Sequence, residues 1–129
     1  MISVFRRKSQ WRNFDSDAAR YEALQRHDAG SRSVAIDQIV GSLGRHGGSA
    51  PGAGLWNVSP TDLRYRQIRD LMRQGYSFAP VELYALNGAY YIVDGNHRVA
   101  AARSLGQLWI DARVVEFRPV ARGQLAMST

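Results

Sequence analysis

Residues 94–98 read Asp-Gly-Asn-His-Arg and lead into the alanine-rich run VAAARSLG. That run has the composition of a helix with a glycine stop at Gly106, so His97 and Arg98 fall in a first helical turn. Unpaired backbone N–H groups and the helix dipole already make this end positive, and each added cation costs about 0.3–1 kcal/mol. A bound anion reverses the balance, because a charge-assisted hydrogen bond contributes on the order of 1.5–3 kcal/mol and a helix N-terminus is a natural phosphate site. Gly95 lets the backbone come close to a ligand, and Asn96 can donate or accept beside it. Asp94 has several roles open to it: acid or base, orienting His97 or Arg98, holding a metal through water, or capping the helix. The candidate catalytic residues are Asp94 and His97. The candidate phosphate ligands are Gly95, Asn96, His97 and Arg98.

A second chemistry-bearing stretch is GSLGRHGGSAPGAG, residues 41–54. Its glycine density and lack of apolar period predict a loop. It lacks the Gly-Lys-Ser/Thr ending of a P-loop. Either it is a plain linker, or it is a lid from which Ser42 and Arg45 reach the phosphates. Asp37 and Glu82 are weaker acid/base candidates, since each reads equally as a solvent-facing strand residue. His27, His46 and His97 share no metal-ligand spacing, so no metal ligands are assigned.

The elements that must position these residues follow from local pattern. Trp11, Phe14, Ala18, Tyr21 and Leu24 recur at helical spacing, which predicts an amphipathic helix over residues 9–27. Its aromatic stripe packs on the core or serves a partner, including a second copy of the chain. VAIDQIV, residues 34–40, reads as a strand. In SPTDLRYRQIRDLMRQG, Ser59 is the candidate N-cap, Pro60 the first helical residue, Asp62 the capping-box partner and Gly75 the stop. Tyr65, Ile68, Leu71 and Met72 form the expected buried stripe. Asn87-Gly88 between two apolar runs predicts a hairpin, and LWIDARVVEF a final strand followed by a frayed tail from Arg118. Helices and strands in this order make an α+β domain.

The 129 residues suit one domain, and the absence of cysteine excludes disulfides, thiolate metal sites and a thiol nucleophile. No stretch approaches a membrane span and the N-terminus has no apolar leader core, so a cytoplasmic location is expected. The net charge is +6, and every basic residue but Lys8 is arginine. Arginine's planar fork suits phosphates and carboxylates. A basic balance permits nucleotide or nucleic-acid partners without assigning one.

YYIVDGNHRVAAARSLG, preceded by IRDLMRQGYSFAPVELYAL and followed by IDARVVEF, resembles the ParB/sulfiredoxin superfamily, specifically the ParB-like N-terminal domain, over residues 34–117. The resemblance implies a small mixed sheet with flanking helices, and a nucleotide whose phosphates are held at the DGNHR helix start. On this reading residues 1–33 are an N-terminal extension carrying the amphipathic helix and residues 118–129 a C-terminal tail. Sulfiredoxins resemble G-C-H-R at this point and use the cysteine as nucleophile. Asn96 stands there in this chain, so sulfinic-acid reduction is excluded. Partition ParB proteins carry a G-E-R-R-like motif, bind CTP and continue into a DNA-reading helix-turn-helix. The sequence ends soon after the last predicted strand, so partition-type DNA reading is not expected.

Three functions follow. One is a nucleotide-binding phosphohydrolase or phosphotransferase using ATP, ADP or CTP with Mg²⁺, the phosphates held by residues 95–98 with Ser42 and Arg45 closing over them. A DNA-binding or nuclease module is the second, with arginines of residues 64–73 extending the basic surface. The third is a regulatory binding protein without turnover.

Overall fold

The computed structural model describes residues 11–43 and 58–120. It contains β1 (Arg12–Asn13), α1 (Phe14–Ala18), β2 (Leu24–Ala35), β3 (Ile39–Ser42), α2 (Leu63–Arg73), β4 (Val81–Leu86), β5 (Ala89–Asp94), α3 (Asn96–Ser104) and β6 (Trp109–Pro119). The strands form one six-stranded sheet in the order β1-β3-β5-β4-β6-β2. β1–β3, β3–β5 and β4–β6 pair parallel, whereas β4–β5 and β2–β6 pair antiparallel. This mixed sheet with its helices is the expected α+β class. Among the described residues no helix is long and apolar enough to cross a membrane.

Alternation along β4 divides the core between two faces. Val81, Leu83 and Ala85 join Val34, Ile39, Ile92, Ala112 and Val114 beneath Val99 of α3. On its other side α3 offers Ala100 and Ala101 to Tyr65 and Ile68 of α2. A helix buried on both sides needs small residues, which is why the alanine run stands here. Met72 also packs in this cluster, but Leu71 is exposed. It projects about 120° from Tyr65 and about 60° from Ile68, just outside the edge of the buried stripe. The opposite face of the sheet holds Phe14 edge-on to Tyr84 and Tyr91. There the Tyr91 hydroxyl donates to Asp17 at 2.6 Å, and burial, followed by that bond, pushes the phenol well above its ordinary range.

The hairpin is as expected, with Asn87 at φ 54° and Gly88 at φ 85°. Both long helices end in glycine. The amide of Gly75 donates to Met72 and that of Tyr76 to Leu71, while Gly106 and Gln107 donate to Arg103 and Ala102. This is the two-bond Schellman stop.

The N-terminal third departs from expectation. Among the described residues the helix predicted over residues 9–27 is confined to Phe14–Ala18, and the chain from Leu24 to Ala35 is a strand paired with β6 along its length. Phe14, Ala18, Tyr21 and Leu24 still share one apolar cluster. A short helix, a turn and a strand start bring them together as a continuous helix would. β2 crosses positions 33–34, and the predicted strand over residues 34–40 is interrupted by a 3₁₀ turn at Ile36–Gln38. The tail expected to fray from Arg118 is instead strand at Arg118 and Pro119, paired with Gln25 and Leu24.

Ser59 does not cap α2. The cap is Asp62, which accepts from the amide of Tyr65 at 3.1 Å, while Ser59 accepts from the Thr61 amide in the preceding turn. Gly41 and Ser42, read as loop, are strand residues of β3. A methyl group on Gly41 would run into the carbonyl of Arg12 on β1, so glycine is required there by close strand approach rather than by a loop. Gly41→Ala is therefore expected to cost about 1–3 kcal/mol in chemical denaturation, and a loss below about 0.5 kcal/mol would contradict this packing.

Candidate functional site

The site grows from the junction of β5 and α3. Gly95 is the N-cap of α3 at φ 117°, and among the described residues no side chain caps the helix. An added Cβ would lie 2.6 Å from Cγ1 of Val81, so the turn is closed to other residues on both dihedral and steric grounds. The first intrahelical bond runs from the Val99 amide to Gly95. The amides of Asn96, His97 and Arg98 have no acceptor within the helix. The Asn96 Oδ1 is buried and has no hydrogen-bond partner among the described residues.

Each basic side chain of this turn meets a carboxylate. His97 Nε2 lies 3.2 Å from Asp62 Oδ2, and both side chains are about one-third exposed. Arg98 donates to Asp94 at 3.1 Å and to the carbonyl of Ala79 at 2.8 Å. Asp94 is thus an ion-pair partner one turn before Arg98 and not the helix cap. The two basic side chains at the helix start each face a carboxylate in this structure.

Asp62 is the residue that local sequence reasoning undervalued. One of its oxygens caps α2 and the other holds His97, so the N-termini of both helices are clasped together. The hydrogen bond from the Tyr65 amide holds the Asp62 carboxyl below its ordinary pKa, and His97 adds to this. Asp is among the best N-caps, but the nearby Ser59-Pro60 pair carried an equally good local signal.

Of the other candidates, Ser42 is only 2% exposed and its hydroxyl accepts from the Trp11 indole at 2.8 Å. Because it is a buried strand residue, it does not lie on a lid, which corrects the expectation for it. Arg45 lies outside the described residues. Asp37 is exposed and reaches Arg103 at 3.8 Å, whereas Glu82 is exposed on β4 directly opposite Asp94 of β5 in the sheet register. Among the described residues no three His, Asp or Glu side chains gather as a metal site.

No family model matches the chain, and no curated protein matches it. Solved structures similar to it include sulfiredoxin from Arabidopsis thaliana, at 20% identity and TM-score 0.45, covering 75% of this chain and 93% of that one. Another is the C-terminally truncated chromosome-partitioning protein ParB from Caulobacter crescentus complexed with CTP-γ-S, at 16% identity and TM-score 0.47, covering 78% of this chain. The matched region spans half the length of that ParB chain. These identities and TM-scores assign neither a family nor an activity to the chain.

The Asp62 clasp has a pH signature. A carboxyl whose folded pKa is lowered contributes stability that is complete above its unfolded pKa, about 3.9, and is lost as pH falls through the folded value. Asp62→Ala is expected to cost about 0.5–2 kcal/mol at pH 7. Its deficit relative to wild type should shrink as pH is lowered below about 4, measured by urea denaturation at each pH. A deficit independent of pH would contradict the ionised clasp.

Proposed function

We propose that the start of α3 binds the phosphates of a nucleotide. The observation that carries this reading is the helix N-terminus at Gly95, which no side chain among the described residues caps, with the amides of residues 96–98 lacking an acceptor within the helix. The two basic side chains stand beside it, already oriented by Asp62 and Asp94. Phosphate oxygens would accept from those amides, and His97 and Arg98 would share their N–H donors between carboxylate and phosphate. The resemblance of DGNHR to the nucleotide motif of the ParB/sulfiredoxin superfamily points the same way. ATP, ADP and CTP are the nucleotides this resemblance brings forward.

A Mg²⁺ ion would be held chiefly by the phosphate oxygens, the usual arrangement for an ion that keeps most of its water. With its exposed carboxylate, Asp94 is the proposed proton acceptor or water-orienting group should the nucleotide turn over, and His97 the proposed proton donor. The exposed Arg64 and Arg66 at the start of α2 would widen the positive field around the same place.

Thermal shift tests this directly. At least one of ATP, ADP, CTP and GTP, with or without Mg²⁺, is expected to raise the melting temperature of the wild-type chain. Stabilisation of about 2.7 kcal/mol corresponds to ligand at roughly a hundred times its Kd. Asn96→Asp places a negative charge against the proposed phosphate and is expected to remove most of that shift while the variant still melts cooperatively. No shift with any nucleotide, or an equal shift in the variant, contradicts the reading. Salt-sensitive binding of duplex DNA that mononucleotides fail to displace would move the site to a nucleic-acid backbone.

A further inference from the structure

On another side of α3 from His97, a cleft of about 260 Å³ opens at the end of the sheet where β4 and β6 begin. Met72, Phe78 and Ile110 are among its apolar walls, and Tyr76 and Trp109 line it while each remains 59% exposed. The adjoining Leu108 is 71% exposed. Large apolar side chains left in water around a concavity mark an interaction surface more often than a solvated one.

Two charges line the cleft. The Arg98 guanidinium is already committed to Asp94 and to the carbonyls of Ala79 and Pro80. Asp111 is exposed and has no ion pair or hydrogen bond among the described residues. The unspent charge of the cleft is therefore negative, although the protein as a whole carries +6. At physiological ionic strength that distant positive charge is screened beyond about 8 Å, so the local carboxylate decides the sign of what is attracted. Electron-rich faces of Tyr and Trp beside a carboxylate suit a cation on an apolar stem.

We propose that this cleft docks a partner protein through an extended peptide segment carrying a lysine between apolar residues. The ammonium pairs with Asp111 and lies against the Tyr76 and Trp109 rings, while the flanking apolar side chains cover Met72, Phe78 and Ile110. The cleft shares the Arg98 side chain with the proposed phosphate site but not the amides of residues 96–98, so peptide binding read at Trp109 and anion binding read at those amides are distinguished by their signals.

The test is a titration of the whole ¹⁵N-labelled chain followed at the Trp109 indole N–H, identified by its loss in Trp109→Phe. The probes are the peptides acetyl-Ala-Leu-Lys-Leu-Ala-amide and its Lys→Glu and Lys→norleucine counterparts. The lysine peptide is expected to shift the Trp109 signal saturably and to bind about tenfold more tightly than the glutamate peptide, the combined effect of an exposed ion pair and a cation–π contact. Asp111→Asn, an exposed and near-isosteric change, is expected to bring the lysine and norleucine peptides to within about twofold of each other. Equal affinity of the lysine and glutamate peptides overturns the proposal, as does tighter glutamate binding, an unaltered preference in Asp111→Asn, or no Trp109 shift at peptide concentrations of about 5 mM, beyond the weak millimolar range.

Discussion

Strand β5 turns into helix α3 through a single residue lying against Val81, and only a residue without a side chain can make that turn. Gly95 sits at φ 117° with Val81 Cγ1 2.6 Å from where a Cβ would stand. This close passage sets the axis of α3, and with it the direction in which the amides of residues 96–98 point. It also seats Val99 on the sheet and Ala100 and Ala101 against α2. The placement of α2 over α3 follows from the same turn, because small side chains on both sides of α3 leave little room for another packing.

Two basic residues at a helix N-terminus would destabilise an isolated helix. Here the cost is met within the chain: Asp62 reaches His97 from α2, and Asp94 reaches Arg98 from one turn earlier. These pairs are partly exposed, so each contributes little net stability. Their consequence is orientation. Both side chains are held at the helix start, and no described side chain caps the helix end or meets the Asn96 Oδ1. An arrangement that neutralises its side chains but leaves its backbone donors open is suited to a ligand that arrives with its own negative oxygens.

Much of the C-terminal half is legible in the sequence because its signals are local. Asn87-Gly88 requires positive φ at both residues, Gly75 and Gly106 stop helices, and the alanine run belongs to a helix buried on two sides. The N-terminal third is not legible in this way. β2 is an edge strand with a bulge near Gly30 and many charged or polar residues, the features that protect an edge and hide strand periodicity. The aromatic spacing from Phe14 to Leu24 satisfies a long helix as well as it satisfies a helix, turn and strand start. Gly41 and Ser42 carry a local loop signal because the packing that demands glycine, against the Arg12 backbone, lies 29 residues away in sequence. Residues 94–98 are legible as a strand-to-helix junction, whereas the Asp62–His97 contact joins residues 35 apart and no local pattern announces it.

The central claim concerns the backbone donors that the Gly95 turn leaves open, and amide NMR observes them most directly. Titration of the ¹⁵N-labelled chain with pyrophosphate is predicted to move the amide signals of Asn96, His97 and Arg98 first and farthest, in a saturable manner. If those three amides stay in place while only signals from the surface arginines drift with ionic strength, the helix start is not an anion site and the account is wrong.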